Sequence, residues 1–428
     1  MTEPLAPPPR KDPQKRTVSP TLPPMARSRA ALGLTAAAAE GRFALQVCAD
    51  CGAVQYPPRD ACAACLSPDL VWRDQPPGGR LLAETTIRVS PQLYFRERMP
   101  WRIGTVALDA GPVVTAHLHG DVVRAARVRM TARLDRAGQG VLVALPAAET
   151  DTGTGTGNGT GNNTGTGTGT PHMEDDPLMR SLTCDPKHRR VLITDGRNAN
   201  TPALIAALRA AGAAAVYVGM AEAWRGAPVL EAEILPLDLT DSASLARMAG
   251  EYGGKTDILI NNARHLRPGG VMGGNPVFAR EALEVSALGL MRLAQAFGPG
   301  MAARSADGTN AAAAWVNILS AHALIPDPAM GGFCAAQAAA LSLSRSLRAE
   351  FRATGLRVMH VFVGPTEDDW HQPLPPPKLT PNALARDLVQ GLRDGLEEVW
   401  SGDVAKDIRE RYAASPKVLE RELTGGGA

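Results

Sequence analysis

Residues 48–65 read Cys48-Ala-Asp-Cys51-Gly-Ala-Val-Gln-Tyr-Pro-Pro-Arg-Asp-Ala-Cys62-Ala-Ala-Cys65. Two Cys-x-x-Cys pairs stand ten residues apart. Each pair turns two thiolates toward one point, and Gly52 admits the tight turn that follows the first pair. Four thiolates complete a tetrahedron and leave no open position, so Cys48, Cys51, Cys62 and Cys65 predict a structural rather than a catalytic metal, with zinc expected. Iron in a rubredoxin-like site and unmetallated thiols are the alternatives. Only Cys184 and Cys334 lie outside the quartet, and this bunching reads as metal binding rather than a disulfide framework.

Downstream, the texture is β. LLAETTIRV, RIGTVAL, PVVTAHL, VRMTARL and GVLVAL are short runs rich in β-branched residues, separated by Gly, Pro and Asp turns. Five strands over this length predict a small closed barrel of the OB type. Residues 151–170, DTGTGTGNGTGNNTGTGTGT, hold eight Gly and eight Thr. Such a tract cannot bury a core, and its expected reach is about 25 Å. Beyond it, strand and helix patterns alternate from RVLITDG through LRVMHVFVG, with long helices near 276–304 and 329–354. That alternation predicts a doubly wound parallel sheet with helices on both faces. The expected organisation is a disordered arm over 1–30, a ribbon-and-barrel domain over 31–149, a linker over 150–186 and an α/β domain over 187–428.

Composition narrows the function. The 428 residues carry 45 basic and 43 acidic side chains, a net charge of +2, which argues against a strongly basic nucleic-acid binder. Aromatics are only 4%, few for base stacking. Residues 66–146 hold eleven arginines, no lysine and seven acidic residues, a local surplus suited to phosphates or to a solvated surface. No uninterrupted apolar run reaches the roughly 18 residues a membrane span needs. The proline- and arginine-rich start lacks the pattern of an export signal, so a cytoplasmic location is expected.

LQVCADCGAVQYPPRDACAACLSPDLVW followed by PPGGRLLAETTI resembles the zinc-ribbon plus OB-fold family associated with acyl-CoA metabolism, over about 31–147. That resemblance implies a domain that accompanies a thiolase-like enzyme, supporting it or shaping its acyl-CoA site, rather than acting as the catalyst.

The second part resembles the short-chain dehydrogenase/reductase family over nearly its whole length. Asp257-Ile-Leu-Ile-Asn261-Asn262-Ala263 is similar to that family's Asn-Asn-Ala-Gly strand end. Asp238 matches the acidic residue near the adenine, and Val316-Asn317-Ile318-Leu319-Ser320 the strand bearing the catalytic serine. The resemblance implies a Rossmann-like fold with NAD(P) at its crevice, Asp238 and Asn261 being the cofactor-binding positions carried over. The chemistry is mostly replaced. The three glycine positions of the family's first loop hold Asp195, Ala199 and Thr201, which oppose a diphosphate by charge and by β-carbon bulk. The family's Tyr and Lys positions hold Phe333 and Gln337, and its structural Asn falls near Ser286. Only Ser320 survives, and loss of the general acid alone costs about 10²–10⁴-fold. No catalytic residue is therefore assigned. Cys334 reads as a buried structural thiol and His371, in the proline-rich segment after Gly364-Pro365-Thr366, as a surface histidine.

These readings predict a non-catalytic accessory subunit. It would bridge a thiolase-like enzyme and a catalytic dehydrogenase subunit, or dimerise through the two long helices, with acyl-CoA as a possible ligand. The alternatives are a divergent NAD(P)-dependent oxidoreductase acting on a hydroxyacyl- or oxoacyl-CoA, and an OB-fold nucleic-acid binder. The amphipathic stretch 403–423 is expected to dock on a neighbour.

Overall fold

The computed structural model describes residues 21–25, 28–147, 176–221, 231–305 and 311–425. Most of the arm expected over 1–30 and the whole Gly/Thr tract at 151–170 lie outside the described residues. The chain divides into two compact units, with the main division between Thr183 and Cys184.

In the first unit, α1 (Leu32–Ala39) precedes a small antiparallel sheet of β1 (Ala44–Cys48), β2 (Val54–Gln55) and β3 (Leu70–Asp74), in order β2-β1-β3. A ribbon this small has little apolar core. Its centre is a pair of buried amides instead: Gln55 Nε2 donates to Gln46 Oε1 at 3.0 Å, and Gln46 holds both the N–H and the C=O of Arg59. This pins the Tyr56–Arg59 loop between the cysteine pairs.

The barrel follows directly. β4 (Gly78–Ile87), a helical turn α2 (Leu93–Arg96), β5 (Trp101–Leu108), β6 (Val113–Leu118), β7 (Arg127–Leu134) and β8 (Gly140–Pro146) close in the order β4-β5-β6-β8-β7. A bulge at Leu81/Ala83 lets the long strand β4 bend and pair with both β5 and β7. Leu81, Val106, Leu118, Met130 and Leu142 fill the interior. Gly104 faces them, and a Cβ there would lie 2.6 Å from Leu81.

The expected linker over 150–186 is too long at its C-terminal end. Residues 176–183, including α3 (Pro177–Arg180), pack on the barrel: Met179 and Leu182 are buried against Trp101, Val143 and Leu145. Apolar burial there outweighs the freedom a spacer would keep. Cys184 is already fixed in the second unit, its N–H donating to the Leu392 carbonyl at 2.8 Å.

The second unit is a seven-stranded parallel sheet. β9 (Arg190–Ile193), β10 (Ala215–Met220), β11 (Glu233–Pro236), β12 (Ile258–Asn261), β13 (Ala314–Ser320), β14 (Arg357–Val363) and β15 (Glu398–Ser401) lie in the order β11-β10-β9-β12-β13-β14-β15. α4 (Thr201–Ala210) and α9 (Pro381–Asp394) cover one face. The other face is covered by α5 (Ser242–Tyr252), α7 (Gly289–Arg304) and α8 (Gly331–Phe351). The central strands are continuous apolar runs because both faces are buried. The long helix expected over 276–304 is divided into α6 (Pro276–Leu283), a π-helical turn Glu284–Leu288 and α7. The closing stretch forms α10 (Asp403–Ala414) and α11 (Pro416–Gly425). One side of it packs on its own unit, through Ala405, Ile408 and Leu419 against Ala321 and Ile325, while Val418 and Leu423 are exposed.

Candidate functional site

The four cysteines meet at one point. Their sulfurs all lie within 4.8 Å of one another, with Cys48–Cys65 and Cys51–Cys62 at 3.6 Å. A tetrahedron with Zn–S bonds of about 2.3 Å has edges of roughly 3.8 Å, so the spacing suits the metal. The two knuckles share a backbone plan: Gly52 N–H returns to Cys48 O, and Leu66 N–H to Cys62 O, each at 3.0 Å. Both turns end left-handed, at Gly52 (φ 73°) and Leu66 (φ 63°). Backbone N–H groups of Cys65 and Ala64 pull the Cys62 thiol down to about 6, while hydrogen bonds with the neighbouring sulfurs push Cys51 up and Cys65 up to about 12, so without a metal one thiolate forms first and its neighbours hold their protons. No substrate position is open here.

The second candidate is the crevice at the carboxyl ends of β9 and β12, where the strand order reverses and open α/β sheets bind ligands. Here the chain's own side chains bond across its base. Asn262 Oδ1 accepts from Asp195 N–H at 2.8 Å, and its Nδ2 donates to Asp195 O and to Thr201 Oγ1 at 3.0 and 2.9 Å. Thr201 is fully buried and donates to Asp195 O at 2.6 Å. Asn198 donates to Asn262 O at 2.8 Å. The Asp195 carboxylate turns to Arg197, accepting from its N–H and Nε. The loop that would cradle a diphosphate is thus braced by side chains across its own mouth.

The inner half is bonded across as well. Arg264 Nη2 donates to Thr366 Oγ1 at 2.9 Å and to Asp368 Oδ2 at 2.6 Å. His371 Nδ1 pairs with Asp368 Oδ1 at 2.8 Å. Burial works against Asp368's charge, but bonds from His371 and Thr366 and the Arg264 charge hold it well below the usual carboxylate range. The reading of His371 as a surface residue is corrected, because it is 6% exposed and its acceptor Asp368 anchors it inward. Arg264 was not singled out from the sequence, although it stands where the Asn-Asn-Ala pattern ends in glycine. Beside this cluster, Arg264, Ser320, Phe333, Cys334, His371 and Leu374 line a cavity of only about 20 Å³. That is room for one water, against roughly 300 Å³ or more for a typical ligand site.

Gln337 occupies the lysine position without its chemistry. Its Oε1 accepts from Ser320 N–H at 2.9 Å, and its Nε2 donates to Ser286 Oγ at 3.2 Å. Ser286 sits on the π-helical turn, so Gln337 ties that turn to the end of β13. Phe333 is buried with Leu266, Met330 and Cys334 and offers no proton. Burial also pushes the Cys334 thiol up. Asp238 accepts from Thr240 N–H and hydroxyl at 2.8 Å through one carboxylate oxygen, and Asn261 bonds Thr194 and Asn317.

Residues 35–71 match the family described as "ChsH2, rubredoxin-like zinc ribbon domain", and residues 72–135 match "ChsH2, C-terminal OB-fold domain". Residues 191–378 match the short chain dehydrogenase family. The chain joins a ChsH2-type ribbon and OB-fold to a short-chain dehydrogenase domain. Similar proteins include the short-chain dehydrogenase ptmH of Penicillium ochrochloron, 33% identical over 137 residues, which are 31% of this chain and 47% of that one. Dehydrogenase/reductase SDR family member 7 of Mus musculus is 23% identical over 180 residues, 41% of this chain and 49% of that one. The chain spans about half the length of these curated relatives. A solved short chain dehydrogenase from Burkholderia cenocepacia, in complex with NADP, is 26% identical, covers 55% of this chain and 97% of its own, and has a TM-score of 0.49. Among the described residues, no helix is long and apolar enough to cross a membrane.

Proposed function

We propose that the chain is a non-catalytic accessory subunit in acyl-CoA metabolism, holding zinc through Cys48, Cys51, Cys62 and Cys65. The ribbon–barrel unit engages a thiolase-like enzyme. The dehydrogenase-like unit engages a catalytic short-chain dehydrogenase subunit, or a second copy through α7 and α8. The observation that carries this reading is Gln337, whose amide is spent bracing Ser320 and Ser286 where the resemblance calls for a cation, with donorless Phe333 one turn earlier. The ribbon and OB-fold matches support the acyl-CoA setting.

Titration of the purified protein with NADH and NADPH tests it, together with turnover of a 3-oxoacyl-CoA and co-expression with the two partner classes. The expected outcome is no saturable nucleotide binding, no turnover above the blank, and co-elution with a thiolase-like and a dehydrogenase partner. Micromolar nucleotide binding with turnover overturns it. The second reading, an NAD(P)-dependent oxidoreductase using Asp238 and Asn261, then takes its place. Retention of Ser320 and the family match over 191–378 favour that second reading.

A further inference from the structure

OB-type barrels present ligands with the outer face around their second and third strands. Here those strands are β5 and β6, with β8 beside β6. Side chains alternate along a strand. Val106 and Leu108 of β5 and Leu142 and Ala144 of β8 point into the barrel core. Trp101, Ile103, Val141, Val143 and Leu145 therefore point outward, onto the ligand face. An outward apolar face should be open to solvent or to a ligand, yet Trp101 is 3%, Val143 0% and Leu145 2% exposed.

The cover comes from residues 176–183. Met179 and Leu182 bury themselves against Trp101, Val143 and Leu145, with Phe95 packed alongside. Asp176 seats the segment: its carboxylate accepts from Gly120 N–H at 2.7 Å and from Met179 N–H at 3.3 Å. The platform's polar handle is also spent, because Trp101 Nε1 donates to His117 Nδ1 at 2.7 Å. Phe95 meets Trp101 edge-on, with ring centroids 5.4 Å apart. Neither ring face awaits a base or an acyl chain while the segment is in place.

We propose that residues 176–183 are a built-in occupant of the barrel's ligand face. The face is a docking groove for a short peptide with an acidic residue ahead of two apolar side chains three positions apart, and the chain supplies that peptide itself. The barrel is closed to external ligands until this strap leaves. Its last residue, Thr183, directly precedes Cys184, which belongs to the second unit.

The test uses the full chain. Leu182→Ala should raise the population of released strap at least tenfold, read as the rate of limited tryptic cleavage after Arg180. A fluorescently labelled peptide of residues 176–183 should bind the Leu182→Ala chain and leave the unaltered chain unoccupied, by anisotropy. The same peptide with Met179→Asp should bind neither. Zinc content and the melting of the second unit report whether the variant is folded. If Leu182→Ala disrupts the barrel, Met179→Ala and Asp176→Asn serve in its place, with smaller increases in cleavage. Unchanged cleavage after Arg180 in folded variants, or equal peptide binding by the unaltered chain, overturns the proposal.

Discussion

The ribbon and the crevice solve opposite problems with polar groups. In the ribbon, four sulfurs converge on a common centre while the amides of Gln46 and Gln55 organise the loops around them. The ligand atoms are kept together and the scaffold is satisfied elsewhere. In the crevice, groups that could meet a cofactor are bonded to each other: Asn262 to Asp195 and Thr201, Arg264 to Thr366 and Asp368, Gln337 to Ser320 and Ser286. A site poised for a ligand leaves its donors and acceptors converging on free space. A site turned into scaffold spends them internally, because buried polar groups without partners are costly.

The largest expected effect breaks the ribbon side of this comparison. Cys62→Ser removes one of four ligands from a site whose metal supplies folding free energy on the order of 10 kcal/mol in comparable small domains. Zinc content should fall from about one per chain to near zero, with loss of the ribbon's amide protection, while the second unit keeps its melting transition. Retained protection without metal would show that the Gln46–Gln55 pair alone sustains the ribbon. Next in size is Arg264→Ala, which takes the guanidinium from the Asp368 carboxylate while leaving it the bonds from His371 and Thr366, and should destabilise the second unit by about 2 kcal/mol. Adding Asp368→Ala should recover most of the loss. Neither variant should gain NADPH binding, because Asn262 and Thr201 still brace the outer half of the crevice. Submicromolar binding by the double variant would mean that the salt bridge alone closes the site.

Much of the comparison was legible in the sequence, and the missing part has a physical reason. The cysteine spacing located the ribbon, and β-branched runs located all five barrel strands. The apolar 190–193, 258–261 and 314–320 runs read as buried parallel strands. Phe333 and Gln337 were visible as replacements, since their positions follow from helical periodicity along α8. What they do instead was not visible: Gln337 meets Ser320 and Ser286 only through contacts across the fold. Arg264 and Asp368 are 104 positions apart, so no local pattern joins them. The strap was masked in another way. It follows a Gly/Thr tract and contains only scattered apolar residues, so local composition extended the linker over it. α9 carried usable signals, with Thr380 capping, Pro381 at its first turn and Gly395 left-handed at its end.

The saturation of the crevice continues through the sheet, and this gives a pH dependence. Asn261 bonds Asn317, Asn317 donates to Ser344 at 2.6 Å, and Ser344 meets His360 Nε2 at 2.7 Å. Arg348, which can only donate, bonds Nδ1 at 3.1 Å and so assigns the ring proton to Nε2. Burial, together with the charges of Arg348 and Arg345, pushes His360 down to about 2. The folded state therefore keeps His360 neutral while the unfolded chain takes up a proton below about 6.5. Stability contributed by this group is complete above that pH. It should fall by about 1.4 kcal/mol per unit as pH drops from 6.5 toward 4.5. Denaturant midpoints of the second unit measured across that range should show the slope, and His360→Gln should reduce it, leaving the share of His322 and His265, which burial also holds below the ordinary histidine range. Asp368 acts in the same direction only at lower pH, below its ordinary range near 3.8. An unchanged slope in His360→Gln would remove His360 from the account.

The smallest effect sharpens the ribbon half. The two knuckles are near copies, yet the first ends in Gly52 and the second in Leu66, both left-handed. A leucine at such a φ costs about 1–2 kcal/mol relative to ordinary backbone, whereas glycine adopts it freely. Leu66 recovers little of that cost by packing, because it is 78% exposed. It stays left-handed because its N–H must close on Cys62 O while the following residue, Ser67, accepts from Cys62 N–H at 2.8 Å. The geometry demanded of Cys62 and Cys65 thus overrides the preference of the residue behind them. Leu66→Gly relieves the strain but adds freedom to the unfolded chain, worth roughly 0.5–1 kcal/mol in the opposite direction. The net expectation is a gain of about 0.5 kcal/mol. It should appear as a two- to threefold tighter zinc affinity in competition with a chromophoric chelator. Gly52→Leu at the matching position should weaken zinc by a comparable or larger factor, since open space there leaves only the backbone to object. If Leu66→Gly weakens zinc instead, the second knuckle is held by contacts of the leucine side chain rather than by the thiolates it follows.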